Sequence, residues 1–389
     1  MNDAPRAALL PTGLYDLLPP LAEREAEVTA RLMAVLASHG YERVKPPLVE
    51  FEETLLSGAG AVMGGDTFRM MDPVSHGMVG VRADMTPQVA RIAATRLWHR
   101  PRPLRLSYAG QVLRVQSSEV RPARQIGQAG AELIGAAGPA ADVEVIAVAG
   151  EALLAVGVPN LSVDITLPTL VAAIAEAFEI AGERAATLRR ALDHKDVTAV
   201  AGLPGAAGGL LAALVQAAGP AARAREALDR LDLPAAAAAE RERLGAVLDG
   251  LAQTIPALKV TVDPVENRGF EYHAGISFAF FARSDSGPLG ELGRGGRYDA
   301  GGPAASEPAT GFTLYTDMVL ATLPAAAARR RVLVPPGADP AGAAALRRNG
   351  WITVAALAPA ADWHAEAGRL DCSHVLEDGA AAVRRGGRG

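Results

Sequence analysis

The stretch from Leu106 to Gly135, LSYAGQVLRVQSSEVRPARQIGQAGAELIG, restricts the folds open to this chain more than any other. Leu106, Tyr108, Val112 and Leu113 mark one extended limb, and Gln125, Ile126, Gln128, Ala129, Glu132 and Leu133 mark a second. Residues 114 to 124 are too polar, and too broken by Pro122, to continue either limb. The spacing therefore predicts antiparallel neighbours joined by a long loop that hangs over whatever the sheet face binds. Strand alternation puts Gln128, Gly130 and Glu132 on one face of the second strand and Ala129, Ala131 and Leu133 on the other. An amide and a carboxylate flanking a glycine gap make either a polar pocket floor or the solvated side of an edge strand, and both readings stand at this point.

A chain of 389 residues exceeds one core and predicts two or three domains. Leu21, Val28, Leu32, Val35 and Leu36 recur at helical spacing, with Glu23, Arg24, Glu27 and Arg31 opposite, so residues 20 to 38 read as an amphipathic helix closed by Gly40. The following GYERVKPPLVEF is extended, and Pro46 and Pro47 restrict it to a sheet edge or a subunit interface. Residues 68 to 71 and 78 to 82 form a hairpin around DPVSHG, with His76 solvated in its turn. A helix over 143 to 156 and a strand over 161 to 165 precede an alanine-rich helical insertion at 168 to 250. Strands resume at 258 to 262, Gly295 to Asp299 reads as a tight glycine turn, and 311 to 323 begins as a strand and continues as a helix. After Arg329 to Arg331, strands at 332 to 334, 351 to 354 and 374 to 376 surround a helix capped by Asp339 with Pro340 at its first position and Gly350 as its stop. These form a small C-terminal α/β domain over 329 to 383, and 384 to 389 read as a disordered tail.

Composition removes several function classes. A net charge of -5 and a pI near 5.9 carry no electrostatic footprint for nucleic acid. Cys372 is the single cysteine, which excludes an intramolecular disulfide and a thiolate zinc cluster and fits a reducing compartment. Residues 197 to 222 hold no charge, but Gly202, Pro204, Gly205, Gly208 and Gly209 interrupt them, so a short buried helix at 210 to 218 is expected rather than a membrane span. The apolar run near the N-terminus is too short for a signal sequence, and a cytoplasmic protein without metal or cofactor is expected.

Two short motifs carry candidate chemistry. Thr86 before Pro87 reads as a helix N-cap, which places Asp84 where helix amides favour an anion; Asp84 then either serves a ligand or helps to cap. Arg268 beside Gly269 combines a guanidinium able to grip a carboxylate bidentately with a backbone that a ligand can approach, or is a surface arginine.

The order of these stretches carries a resemblance. GYERVKPPLVEF looks like the first motif of class II aminoacyl-tRNA synthetases, with Pro47 at the motif's proline, and VRADMT resembles the RPEGT segment of histidyl-tRNA synthetases. YAGQVLR with QIGQAGAELIG resembles their second motif, NRGFEYH their RGLDYY segment, and GGRYD with GFTLYTDMVL the approach to the third. The resemblance covers roughly residues 10 to 325 and implies an α+β fold, an antiparallel sheet flanked by helices. It also implies a histidine pocket: Asp84 and Thr86 at the ammonium, Gln128 and Glu132 along the lining, Arg268 at the carboxylate, Tyr272 with His273 near the imidazole, and Arg114 among the histidine-binding residues. Asp84 stands for a glutamate and His273 for a tyrosine.

The ATP half departs further. Arg114 survives, but Gln116 replaces the second motif's glutamate, Ser117 and Ser118 follow it, and Asp317-Met318 replaces the third motif's Glu-Arg. The pattern resembles the regulatory subunits of ATP phosphoribosyltransferase, a non-catalytic branch of the same family. That resemblance implies a short-form catalytic subunit as partner, L-histidine as effector, and a homodimer through helix 20 to 38 and strand 44 to 51. About 60 C-terminal residues are fewer than a complete synthetase's anticodon-binding domain. The alternatives are a stand-alone amino-acid-binding module or an enzyme aminoacylating a non-tRNA acceptor, and an active histidyl-tRNA synthetase, which Gln116 and Met318 oppose.

Overall fold

Helix α1 (Leu21–Ser38) turns Val28, Leu32, Met33 and Leu36 inward at helical spacing, and Gly40, at φ +81°, takes the left-handed turn that ends it. The computed structural model describes residues 10–117, 122–202, 206–266, 274–284, 287–301, 306–325 and 329–383. The extended segment after α1 is two strands rather than one. β1 (Glu42–Arg43) pairs in parallel with β5 (Leu104–Leu113), whereas β2 (Val49–Phe51) enters a separate three-stranded sheet. Pro46 and Pro47, which have no amide hydrogen for either ladder, fall between the two. After helix α2 (Glu52–Leu55) and a 3-10 turn (Gly58–Met63), the hairpin β3 (Phe68–Met71) and β4 (Met78–Val81) completes the small sheet in the order β2-β4-β3. His76 is exposed in the hairpin turn, as expected.

Helix α3 (Thr86–Thr95) leads into β5, which pairs antiparallel with β6 (Gln125–Ile134). α4 (Pro139–Val156) and β7 (Ser162–Thr166) follow. The insertion comprises α5 (Pro168–Ala177), α6 (Gly182–Asp193), α7 (Val197–Ala201), α8 (Ala206–Ala217), β8 (Gly219–Pro220), α9 (Ala221–Asp229) and α10 (Ala235–Thr254). β9 (Lys259–Asp263), β10 (Ser277–Ser284), β11 (Gly287–Asp299), β12 (Pro308–Tyr315) and α11 (Thr316–Thr322) complete the first of two compact units, which ends at Leu323.

The main sheet has nine strands in the order β1-β5-β6-β12-β11-β10-β7-β9-β8. β6 is therefore interior, paired on both sides and buried along nearly its whole length, which removes the edge-strand reading. Ala129, Ala131 and Leu133 join Phe278, Phe280, Phe312 and Leu314 in the core beneath α1 and α4. α4 is apolar on nearly every side because the sheet, α1 and α10 all pack around it. The opposite sheet face carries a second core in which Met85, just before α3, and Val89 and Ala93 on it meet Leu106, Tyr108, Val112 and Tyr315.

The expected glycine turn at 295 to 299 is instead the interior of β11, paired on both sides. A Cβ at Gly295 would stand 2.1 Å from the Gly311 carbonyl oxygen and 2.5 Å from the Phe278 ring, so the glycine answers to close strand packing, not to chain reversal.

The second unit, described by itself, has β13 (Arg331–Val334), α12 (Pro340–Arg348), β14 (Ile352–Ala355), α13 (Trp363–Arg369), β15 (His374–Glu377) and β16 (Ala380–Val383). β14, β13 and β15 run parallel and β16 closes the sheet antiparallel. Asp339 caps α12 by accepting from the Ala341 and Gly342 amides. α13 and β16 escaped the sequence reading because seven and four residues are too few to show a period. Residues 384–389 lie outside those described. Among the described residues no helix is long and apolar enough to cross a membrane.

Candidate functional site

The register of the central strands assembles the site. Glu132 on β6 stands opposite Leu106 on β5 and Gly311 on β12, and two residues away Gly130 stands opposite Tyr108 and Thr313. Gly311 in turn faces Gly296 on β11, which brings Tyr298, two positions on, to the same face. The Glu132 side chain is fully enclosed. Its Oε1 accepts hydrogen bonds from Thr86 Oγ1 and Tyr108 OH, each at 3.1 Å, and its Oε2 accepts from Tyr298 OH at 2.9 Å. Thr313 Oγ1 lies 2.7 Å from the Tyr108 oxygen and extends the network across the sheet.

Glycines make room for these groups. A Cβ at Gly311 would meet Glu132 Oε2 at 1.7 Å, and one at Gly130 would meet Tyr108 OH at 2.5 Å. No cationic side chain among the described residues pairs with Glu132. Burial accordingly pushes its carboxyl from 4.5 up to about 8, against the pull of the three hydroxyl donors, and the charge of Asp84 adds to the rise. Burial, with Glu132 and Asp84 nearby, also holds the Tyr108 phenol well above its ordinary range.

The second carboxylate enters from the start of α3. Asp84 Oδ1 accepts from the Thr86 amide at 2.8 Å, and Oδ2 accepts from Gln128 Nε2 at 2.9 Å. Gln128 Oε1 accepts from the Met85 amide at 3.2 Å, so the buried amide ties the helix entrance to the sheet. Thr86 is not the cap that its place before Pro87 predicts: the cap position is Met85, with no side-chain bond, and Thr86 is the first helical residue. Asp84 instead accepts from the amide of Thr86 itself, at the helix start, and the Thr86 hydroxyl, with no capping role, faces Glu132. Asp84 thus anchors the helix start and ties it to Gln128 on β6. One threonine bridges a partly exposed carboxylate and a buried one.

Arg114 stands at the rim, its Nε donating to the Ala83 carbonyl at 3.4 Å, next to Asp84. Arg268, Tyr272 and His273 lie outside the described residues. Asp84, Thr86, Gln128 and Glu132 are therefore brought together in one network, with Arg114 beside it. Tyr108, Tyr298 and Thr313 are members that sequence reasoning missed. Alternation marks Tyr108 and Gly130 as facing residues only once the hairpin register is known, and Tyr298 was hidden in a stretch read as a turn.

The neighbouring surface differs in chemistry. Met318 on α11 packs against both cores, and a Cβ at Gly290 would come within 3.1 Å of its terminal methyl. Gln116 is exposed. An apolar thioether thus stands at the position of the third motif's arginine, as read from the sequence, and it offers a polyphosphate no charge. Among the described residues no cluster of three or more His, Cys, Asp or Glu is placed to hold a metal ion.

Comparison with known proteins follows this geometry. The family model of histidyl-tRNA synthetase matches residues 13–319. An ATP phosphoribosyltransferase regulatory subunit from Paramagnetospirillum magneticum is 58% identical over 376 residues, 97% of this chain and 98% of that one. One from Bordetella avium is 36% identical, over 97% of this chain and 98% of that one. Among solved structures, an ATP phosphoribosyltransferase regulatory subunit/histidyl-tRNA synthetase from Bacillus halodurans superposes with a TM-score of 0.79 at 25% identity, covering 94% of this chain and 97% of that one. The histidyl-tRNA synthetase from Nostoc sp. gives the same TM-score, 0.79, at 17% identity over 95% and 91%, and shares the fold.

Proposed function

The chain belongs to the histidyl-tRNA synthetase family, in its branch of ATP phosphoribosyltransferase regulatory subunits, and from that membership we propose that it binds free histidine in the Glu132 pocket and reports it to a short catalytic subunit. It is the non-catalytic partner in that pairing, and Met318 and Gln116 are in keeping with a site that no longer positions ATP.

The observation that carries the histidine reading is a buried carboxylate that no cationic side chain among the described residues pairs with. Leaving a charge unpaired in the interior is expensive, and Glu132, its carboxyl pushed up to about 8 by burial, avoids that cost by holding a proton. An imidazole offers the N–H donor, and the proton, that lets the group ionise with a partner. Asp84, one threonine away and partly exposed, is placed for the ammonium. Arg268 is assigned the ligand carboxylate, and Tyr272 and His273 the ring; that assignment rests on the sequence motif alone. Gln128 holds Asp84 in position, and Arg114 completes the rim.

Histidine alters a partner only if it favours one arrangement of the complex over another, and such coupling is typically about 1 to 3 kcal/mol. Activation of the catalytic subunit and feedback inhibition by histidine belong to the same proposal, as does a cytoplasmic site of action. So does a homodimer through the first-motif segment. The apolar side of α1 is occupied within the chain, whereas Val49 and Phe51 on the open edge strand β2, with Met70 on β3, are exposed.

The test mixes this chain with the catalytic subunit from the same source and follows phosphoribosyl-ATP formation with and without histidine. Activation by the wild type, and inhibition weakened in Glu132→Gln and Arg268→Ala, are expected. A catalytic subunit indifferent to this chain, or histidine-dependent pyrophosphate exchange by this chain alone, contradicts the reading.

A further inference from the structure

Trp98, in the loop between α3 and β5, is 71% accessible, the most exposed tryptophan, tyrosine or phenylalanine of the first unit among the described residues. An indole left in water forgoes the burial that normally makes tryptophan worth carrying, and tryptophan is among the residues most enriched at the energetic centres of protein interfaces. The loop that carries the indole is built to hold it there. Arg102 Nη1 donates to the Leu97 and Arg100 carbonyls at 3.0 and 2.9 Å, and Nη2 reaches the Ala93 carbonyl at 3.5 Å. The same guanidinium pairs with Glu307, so its charge is balanced while its donors hold the turn.

Arg100 adds a second tie, donating to both oxygens of Glu42 at 2.7 and 3.0 Å and fixing the loop to the edge strand β1. The His99 ring meets the Trp98 ring edge-on at 5.7 Å. Leu97 turns inward against the core of α3. Two arginines thus satisfy the turn's carbonyls and its edge and leave the indole outside, which is a preorganised display. Arg96 and His99, in the same loop, are exposed as well.

We infer that the Trp98 loop is the docking point for the catalytic partner, seating the indole in an apolar pocket with an acidic rim. This rests on the regulatory reading above and adds to it the surface that reading lacks. The place of the loop also gives the signal a route. α3 begins at Thr86, two residues after Asp84 in the proposed site, and ends at Thr95, where the loop starts. Ten helical residues span about 15 Å, so the ligand site and the docking point are the two ends of one rigid element.

The experiment compares wild type, Trp98→Ala and Arg96→Glu as full chains. Melting and calorimetric histidine binding are measured on the chain alone, and partner affinity on the mixture with the catalytic subunit. Trp98→Ala is expected to melt and bind histidine as the wild type does, yet to bind the catalytic subunit roughly 30-fold or more weakly. Arg96→Glu is expected to weaken binding and flatten its salt dependence. Unchanged partner affinity in Trp98→Ala, with the wild type binding, overturns this inference alone. A fall in its melting temperature or its histidine affinity makes the loop a support of the fold, and a change in its self-association makes it a contact between copies; either result overturns it. A wild-type chain that does not bind the catalytic subunit removes the regulatory reading and the docking point together.

Discussion

Replacing Glu132 by glutamine tests the central physical claim of the site, that an enclosed carboxylate is kept neutral by a proton until a ligand arrives. The folded group titrates at about 8 and its unfolded reference at 4.5. The folded state therefore holds the proton more tightly, so the group's stabilisation is complete below the unfolded value and is lost as pH rises through the folded one. Each unit between the two values is worth about 1.4 kcal/mol, so raising the pH from 5 to 8 removes about 3 kcal/mol from the wild type. Glutamine keeps the shape and carries no titratable proton. The wild-type melting temperature should thus fall by about 5 °C more than that of Glu132→Gln over this range. Asp142 and Asp164, whose carboxyls are also raised by burial, titrate in both proteins and cancel in the difference. Melts of both proteins in matched buffers across the range provide the comparison. Parallel curves would refute the reasoning, because they require Glu132 to be ionised throughout.

Three further outcomes are expected. Histidine binding, followed by calorimetry, should be strongest between the free imidazole's pKa of about 6.5 and that of Glu132, and weaken about tenfold per pH unit on either side, since ring and carboxyl together need one proton; affinity independent of pH contradicts this. Gly311→Ala forces a methyl group against Glu132 Oε2, so it should abolish histidine binding and cost about 1 to 3 kcal/mol in denaturant titrations. Phe51→Asp places a charge on the open edge of the small sheet and should convert a dimer to a monomer in sedimentation, whereas a wild type already monomeric at micromolar concentration sinks the proposed interface.

What the sequence determined by itself was local and periodic. The two limbs around residues 114 to 124, the heptad-like inward face of α1, the alanine-rich insertion, and the Asp339-Pro340 start of α12 all follow from alternation, helical spacing or cap chemistry among neighbours in the chain. Alternation even placed Gln128 and Glu132 on one face. Burial of that face was decided elsewhere, by the pairing of β12 and β11 more than 150 residues further on, as the Tyr298–Glu132 separation of 166 residues records. The same long-range pairing turned an expected glycine turn at 295 to 299 into a strand and brought Tyr298 to Glu132. Thr86 shows the limit most clearly: cap propensity is a property of the neighbouring residues, but a hydroxyl that can instead reach a buried carboxylate 46 residues away follows the tertiary structure. Propensity ranks local options by about 1 kcal/mol, and an unsatisfied carboxylate in the interior outweighs that, so the long-range contact prevails.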